Sequence, residues 1–131
     1  MDDRVKKFLE TNHGAVMITL KKDGTPHVAR IGVGLVDGKL WSSGTQTRVR
    51  TKHLRRDPRS TLFVFSDDPY VWLALETVVT ILDGPHAPQL NLKLYRELAG
   101  EPDDLQEYLD AMVKEERLIY EFDIKRAYGQ Y

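Results

Sequence analysis

Residues 14–44, with the sequence GAVMITLKKDGTPHVARIGVGLVDGKLWSSG, alternate short apolar runs with turn sequences. The first run, AVMITL, is rich in β-branched residues, and the Asp23-Gly24 pair that follows is a strong signal for a hairpin turn. A second turn, DGK, separates HVARIGVGLV from a third run, LWSSG. Since parallel strands need a long crossover between them, strands joined by such short turns predict an antiparallel sheet.

The rest of the chain adds helices and further strands to this hairpin region. Val5, Phe8 and Leu9 recur at helical spacing and predict a helix over residues 3–12. By similar patterns we predict strands over 60–66, 70–82 and 119–131, and helices over 87–100 and 102–118. The fold class is therefore mainly β with helices (α+β), an antiparallel barrel or sandwich and not a doubly wound parallel sheet.

Two patterns inside these strands make finer predictions. Gly32 and Gly34 lie within the second apolar run, where glycine suggests a bend or a close approach of the backbone to another element. In the last strand, the alternation of side chains places Tyr120 on the apolar side and Ile119 on the side with the charged residues.

The size and composition of the chain limit the classes of protein that it can be. Its 131 residues suit one domain, which we predict to span residues 1–131. Without cysteine there can be no disulfide, thiolate nucleophile or cysteine-bound metal. The N-terminus lacks the apolar segment of a signal peptide, and no run approaches the roughly 18 apolar residues of a membrane span. We therefore expect a soluble cytoplasmic protein.

The sequence offers no recognisable catalytic or metal-binding motif. The four histidines do not pair with one another or with acids at the spacing of a metal site. No nucleophile motif of the form Gly-x-Ser-x-Gly is present. Catalytic residues therefore stay unassigned, and no metal is predicted.

A basic segment follows the third strand. Residues 45–60, TQTRVRTKHLRRDPRS, contain one acid, Asp57, although the whole chain has a formal net charge of −1. The basic members are Arg48, Arg50, Lys52, Arg55, Arg56 and Arg59. Three interpretations are open: a solvated helix face, a nucleic-acid interface, or a phosphate site for a small molecule. Because Pro58 disfavours helical backbone at Asp57, any helix in this segment ends there.

The position of the segment favours the phosphate site. A strand end with Gly44 and Thr45 can aim N–H groups and hydroxyls at an anion, and the N-terminus of a following helix adds partial positive charge. Arg48 and Arg50 lie on one side of the chain if the backbone is still extended there, so that two guanidinium groups can grip phosphate oxygens. A nucleic-acid interface is less favoured, because the basic stripe does not continue elsewhere in the chain.

The ordered set of motifs from AVMITL and DGTPHV through LRRDP (residues 54–58) to YVWLALE resembles the pyridoxamine 5′-phosphate oxidase-like split β-barrel superfamily. It is most similar to the branch of small oxidoreductases that use the deazaflavin coenzyme F420. The resemblance covers residues 5–85 clearly and the C-terminal third in outline. It implies an antiparallel split β-barrel of the FMN-binding-protein-like type, in a homodimer that holds each cofactor in a groove between subunits.

The resemblance also implies site residues, position by position. Ser43 matches a cofactor contact at the end of the third strand, and Arg48 matches the first basic position of the phosphate segment. Arg50 stands where the family commonly has lysine, and Lys52 stands where it commonly has arginine. The positive charge at each position is kept, but the planar guanidinium fork is at position 50 and not at position 52. The implied cofactor-binding set is Ser43, Thr45, Arg48, Arg50, Thr51 and Lys52. The remaining basic residues, Arg55, Arg56 and Arg59, are expected to be solvated charges.

The resemblance further implies an activity, with alternatives. Reduced coenzyme F420 would pass a hydride to a small electron-poor or conjugated substrate, and such chemistry belongs to the cofactor, not to an acid–base motif. The alternatives are an FMN-binding flavin reductase or pyridoxamine-phosphate-oxidase-like enzyme, and an F420-binding carrier without turnover. Tyr70 and Trp72 are expected to be core or interface aromatics, with an apolar wall for the cofactor as the second interpretation.

Overall fold

The computed structural model describes all residues, 1–131, as four helices and seven strands. The helices are α1 (Asp3–Thr11), α2 (Val49–Arg56), α3 (Ala87–Ala99) and α4 (Leu105–Lys114). The strands are β1 (Gly14–Leu20), β2 (Pro26–Gly32), β3 (Gly34–Val36), β4 (Lys39–Thr45), β5 (Arg59–Phe65), β6 (Trp72–Leu82) and β7 (Arg117–Gln130). Every predicted element is present, although the second predicted strand is divided into β2 and β3, and α4 is shorter than predicted.

All strand pairs are antiparallel and form one sheet in the order β2-β1-β5-β6-β7-β4-β3. The two edges of this sheet are β2 and β3, which are separated along the chain by Val33 alone. The edges therefore meet at Val33, and the curled sheet closes there. Between β2 and β4 the link is a side-chain bond in which Ser42 Oγ donates to Gly32 O at 2.7 Å. The α+β split β-barrel predicted from the sequence is confirmed.

The interior of the barrel holds the larger of two apolar clusters. Met17 of β1 and Leu62 of β5 are both 0% exposed at its centre. Helix α1 lays its apolar side against this interior through Val5, Phe8 and Leu9, at the helical spacing seen in the sequence. Burial of these side chains is the main stabilising contribution to the fold.

A smaller apolar cluster lies between the outside of the sheet and α3. Its buried members are Val36, Trp41, Leu94 and Ile119. The prediction for Ile119 was therefore wrong, because α3 covers the outer side of β7 at this point and leaves Ile119 0% exposed. Alternation along one strand cannot reveal a helix that packs on the outward face.

Gly34 stands at the point where the chain leaves one sheet edge for the other. A Cβ at Gly34 would lie 3.0 Å from Leu98 Cδ2 and 3.3 Å from Leu94 Cδ1, both on α3. The close approach predicted for this glycine is therefore confirmed, and it brings α3 against the opening between β2 and β4.

Helix α2 ends where the sequence predicted. The backbone N–H of Asp57 donates to His53 O at 2.8 Å, and Pro58 follows at once. Helix α2 follows β4 in the chain and packs against β1, the neighbour of edge strand β2. The basic segment therefore lies beside the opening of the barrel between β2 and β4. None of the helices is long and apolar enough to cross a membrane.

Candidate functional site

A cavity of 290 Å³ lies in the opening between β2 and β4, and we call it the split pocket. It is lined by Arg30, Ile31 and Gly32 of β2, Ser42 and Ser43 of β4, Arg50 of α2, and Leu94 and Leu98 of α3. No acidic side chain is among these residues. Two arginines in a cavity without an acid make the split pocket suited to an anion.

Arg50 is the predicted phosphate ligand that the structure positions most directly. Its side chain lines the split pocket, and its Nε is buried without a hydrogen-bond partner. Its guanidinium carbon lies 5.9 Å from the centre of the Tyr120 ring, a distance at which the ring attracts the cation. An unpaired buried donor costs about 1–3 kcal/mol, and more when it is charged. An anion whose oxygen accepts from Arg50 would remove that cost.

A buried hydroxyl network holds the turn from β4 into α2. Thr51 is 0% exposed, and its hydroxyl donates to Thr45 O at 2.7 Å and also bonds the hydroxyl of Tyr120. Glycine is required at position 44, because a Cβ on Gly44 would lie 2.3 Å from the Tyr120 ring. This network fixes the start of α2, and with it the position of Arg50.

Ser43 and Arg50 are the two members of the predicted cofactor set that line the split pocket. Arg48 and Lys52 are exposed at the start of α2, and neither forms an ion pair with an acid. Helix α2 has no side-chain cap at Arg48 and no acid in its first turn. Its free N–H groups and partial positive charge therefore remain available to an anion that binds beside Arg50.

The two threonines of the predicted set lie beneath the pocket and do not line it. Thr45 is buried at the end of β4, with its Oγ1 at 3.3 Å from Thr47 Oγ1. The Thr51 hydroxyl is engaged in the network with Tyr120. Through these contacts, both side chains hold the turn from β4 into α2 in its conformation. Direct contact of Thr45 or Thr51 with a ligand stays a prediction.

The arginines in the second half of the basic segment form ion pairs or hydrogen bonds with other groups of the protein. Arg55 Nη2 lies 2.9 Å from Asp83 Oδ2, and Arg59 Nη2 lies 2.8 Å from Asp57 Oδ2. The Arg59 guanidinium holds the pKa of Asp57 down to about 2 through its hydrogen bonds. Arg56 donates to a backbone carbonyl at the end of β1. All three arginines are exposed, as expected, but each has a protein partner, unlike Arg48, Arg50 and Lys52.

Ser43 connects the split pocket to the two C-terminal helices. Its hydroxyl donates to Asn91 Oδ1, and Asn91 Nδ2 donates to Ala87 O at 2.9 Å. The Tyr108 hydroxyl of α4 donates to Asn91 O at 3.0 Å. For Ser43 to donate to an anion, its hydroxyl hydrogen must turn from Asn91 towards the pocket.

His53 lies on the inner side of α2 and docks the helix on β1. Its Nδ1 lies 2.9 Å from Thr19 Oγ1, and its ring centre lies 5.2 Å from that of His27. Burial lowers the pKa of His53, and the neighbouring charges of His27, Arg56 and Lys21 lower it further. The lowered pKa favours the neutral form of His53 near neutral pH.

Tyr70 and Trp72 lie outside the split pocket. Trp72 stacks on Phe63 with ring centres 5.3 Å apart, and Tyr128 meets Trp72 edge-on at 6.3 Å. Tyr70 is 78% exposed. We call Phe63, Trp72 and Tyr128 the outer aromatic face, since they share the outward side of β5, β6 and β7. These are surface aromatics and not core residues.

A larger cavity of 410 Å³ lies beside the outer aromatic face. Its charged lining residues are Arg59, Glu76 and Lys125, so it contains both signs of charge. Arg59 is paired with Asp57, and none of the predicted cofactor ligands lines this cavity. Its greater volume does not make it the better phosphate site.

The sequence does not reveal that Arg30, Leu94 and Leu98 line the split pocket. Arg30 occupies an outward position of β2, and a charged residue there predicts only exposure to solvent. Nothing in the local sequence shows that β2 is a free edge facing β4. The two leucines lie within the helix predicted over residues 87–100, but the sequence does not say which part of the sheet that helix covers.

A family profile described as pyridoxamine 5′-phosphate oxidase matches the chain over residues 1–131. The chain belongs to the pyridoxamine 5′-phosphate oxidase family. Membership in this family agrees with the split barrel and with the sequence resemblance that carried the prediction.

Solved structures share the fold of this member of the pyridoxamine 5′-phosphate oxidase family. A conserved hypothetical protein from Mycobacterium tuberculosis is 21% identical and aligns with a TM-score of 0.81 over 97% of this chain and 82% of its own. An F420 reductase is 21% identical, with a TM-score of 0.76 over 95% and 96% of the two chains. The heme storage protein of Vibrio cholerae is 11% identical, with a TM-score of 0.72 over 98% and 93%. At these identities the likeness shows the fold alone.

Proposed function

We propose that the protein is an oxidoreductase that uses reduced coenzyme F420 to transfer a hydride to a small electron-poor or conjugated substrate. The observation that carries this proposal is the split pocket, where Arg50 has a buried and unpartnered Nε in a cavity without an acid. Family membership and the shared fold of an F420 reductase support a cofactor of the flavin or deazaflavin type.

The residues around the split pocket fit the phosphate group of such a cofactor. Arg50 offers a planar fork of donors, which matches phosphate oxygens in pairs. Arg48 and Lys52 add unpaired positive charge at the first turn of α2, and Ser43 adds a hydroxyl at the end of β4. The remaining members of the proposed cofactor-binding set are Thr45 and Thr51. They contribute by holding the turn from β4 into α2, which positions Arg50.

In this proposal the cofactor and the protein have different roles in the reaction. When bound, reduced coenzyme F420 supplies a hydride to an electron-poor carbon of the substrate, which gains a proton to balance the charge. The protein supplies binding, orientation and electrostatics, as it does for cofactor chemistry in general. We assign no side chain as the proton donor.

A second candidate keeps the site and replaces coenzyme F420 with FMN, in a flavin reductase or a pyridoxamine-phosphate-oxidase-like enzyme. The family match favours it, because the family is described by an oxidase and not by a deazaflavin enzyme. A carrier that binds F420 without turnover is a third candidate, since a heme storage protein has the same fold.

We further propose that the chain is a single cofactor-binding domain over residues 1–131 and works as a cytoplasmic homodimer. The outer aromatic face supports the homodimer, because Phe63 and Tyr128 are 37% and 40% exposed and aromatic residues are enriched at interfaces. A second subunit there would bury these rings. A groove between the subunits is the proposed position of the cofactor.

Anaerobic mixing tests the proposed activity. Protein, reduced coenzyme F420 and a panel of conjugated acceptors such as quinones and enones are combined, and the return of oxidised F420 is followed by its absorbance. We expect oxidation that depends on both protein and acceptor. Tight F420 binding without oxidation by any acceptor would contradict the enzyme and favour the carrier.

A further inference from the structure

A pair of histidines lies where α2 meets β1 and β2. His53 of α2 is buried, and its Nδ1 lies 2.9 Å from Oγ1 of Thr19, which is 0% exposed on β1. The ring of His27, on β2, meets the ring of His53 nearly edge-on, with the ring centres 5.2 Å apart. The two rings therefore link α2 to both strands.

The charges that act on His53 are all positive. They come from Lys21 in the turn after β1, from His27 on β2 and from Arg56 on α2 itself. The acid that follows α2, Asp57, has its carboxylate 2.8 Å from Arg59 Nη2 and is paired there. A proton on His53 would therefore add a positive charge beside others of the same sign.

Hydrogen bonding also disfavours a proton on His27. Its Nδ1 is buried and has no hydrogen-bond partner. In a neutral ring this nitrogen can be the one without a hydrogen, so that no donor is left unsatisfied. A second proton would turn it into a buried donor without an acceptor, which is an unfavourable arrangement. The surroundings of both rings therefore favour the neutral form.

We propose that the pair of His27 and His53 is an acid-sensitive latch, which holds α2 on β1 and β2 while both rings are neutral and releases the helix when they are protonated. Helix α2 carries Arg50 and Lys52, and Arg48 is its N-cap. Release of the helix would therefore withdraw these cations from the split pocket. The effect on ligand binding rests on the proposed function, whereas the release of α2 does not.

The direction of the pH effect follows from the lowered pKa of His53. With α2 docked, burial and the neighbouring positive charges hold this pKa below its ordinary value of 6.5. The released helix therefore takes up the proton first as the pH falls. The contribution of His53 to docking is complete above about pH 6.5 and is lost as the pH falls from there through the lowered pKa.

The test compares His53→Asn with the parent protein and with His86→Asn. Asparagine is polar but stays neutral from about pH 8 to about pH 5, the range over which histidine titrates. His86 is the matched control, because it is an exposed histidine at the start of α3 and its side chain forms no cap. Amide hydrogen exchange of α2 and of β6 is measured across this range and corrected for the intrinsic exchange rate at each pH.

We expect the protection of α2 to fall by about tenfold towards acid pH in the parent protein and in His86→Asn, the scale of repulsion between partly screened like charges. Protection of β6, the central strand of the sheet, should stay constant. In His53→Asn the protection of α2 should change much less. Affinity for coenzyme F420 and for FMN should fall towards acid pH more steeply in the parent protein than in His53→Asn. Ionisation of the ligand itself is the same for both proteins, so the difference between them reports on the latch.

The outcomes separate this inference from the proposed function. An equal fall of α2 protection in the parent protein and in His53→Asn would overturn the latch, and so would constant protection of α2 in the parent protein. If His53→Asn does not fold, His27→Gln is the second variant, and an undiminished acid effect in that protein would overturn the latch. If the parent protein binds neither F420 nor FMN, the proposed function falls, while the exchange of α2 still decides the latch.

Discussion

Replacing Arg50 with alanine is expected to weaken the binding of coenzyme F420 by about 1.5–3 kcal/mol, which corresponds to a roughly 10- to 150-fold rise in Kd. The reason is the position of its guanidinium, which lines the split pocket with a buried Nε that has no protein partner. A ligand phosphate would be its first acceptor. The measurement is a fluorescence titration of the variant and the parent protein under the same salt conditions.

Arg55→Ala is the matched control for this experiment. Arg55 lies on the same helix, but its Nη2 is paired with Asp83 and it does not line the split pocket. Exposed ion pairs contribute little, so we expect this variant to fold and to bind F420 as the parent protein does. If Arg50→Ala and the parent protein bind F420 with equal affinity, Arg50 is a solvated residue of a surface helix and not a phosphate ligand.

Replacing Gly44 with alanine is expected to lower the free energy of unfolding by about 1–3 kcal/mol. The added Cβ would lie 2.3 Å from Cζ and from the hydroxyl oxygen of Tyr120, whose side chain is 0% exposed and cannot move into solvent. Relief of this contact must displace the ring or the end of β4. Chemical denaturation of the variant and the parent protein measures the difference.

The same substitution should also disturb the candidate site. Tyr120 shares its hydroxyl with Thr51 in the network that fixes the start of α2, so displacing the ring moves Arg50. Gly32→Ala is the stability control, because a Cβ there would meet only His13 O, at 3.9 Å. A Gly44→Ala protein as stable as the parent would show that the approach of β4 to β7 is looser than described.

The fold could be predicted because its signals are local. The hairpin turn at Asp23-Gly24, the helix stop before Pro58 and the apolar spacing in α1 each depend on residues close in sequence. The prediction failed at Ile119, whose burial depends on α3, an element distant in the chain. It also missed the division between β2 and β3, which follows from the meeting of the two sheet edges at Val33.

The candidate site could be predicted in part for the same reason. The basic segment is contiguous, and comparison with the family separated Arg48, Arg50 and Lys52 from the arginines that follow them. The structure gives this separation a physical basis, because the later arginines have protein partners. Arg30 could not be predicted as a lining residue of the split pocket, since the pocket forms only where the curled sheet brings β2 near β4.

The most direct test of the central claim is a titration of the purified protein with coenzyme F420 and, separately, with FMN, followed by fluorescence. We expect saturable submicromolar binding of F420 and weaker binding of FMN. Submicromolar binding of FMN with no binding of F420 would contradict the choice of cofactor. Binding of neither would contradict the phosphate site itself.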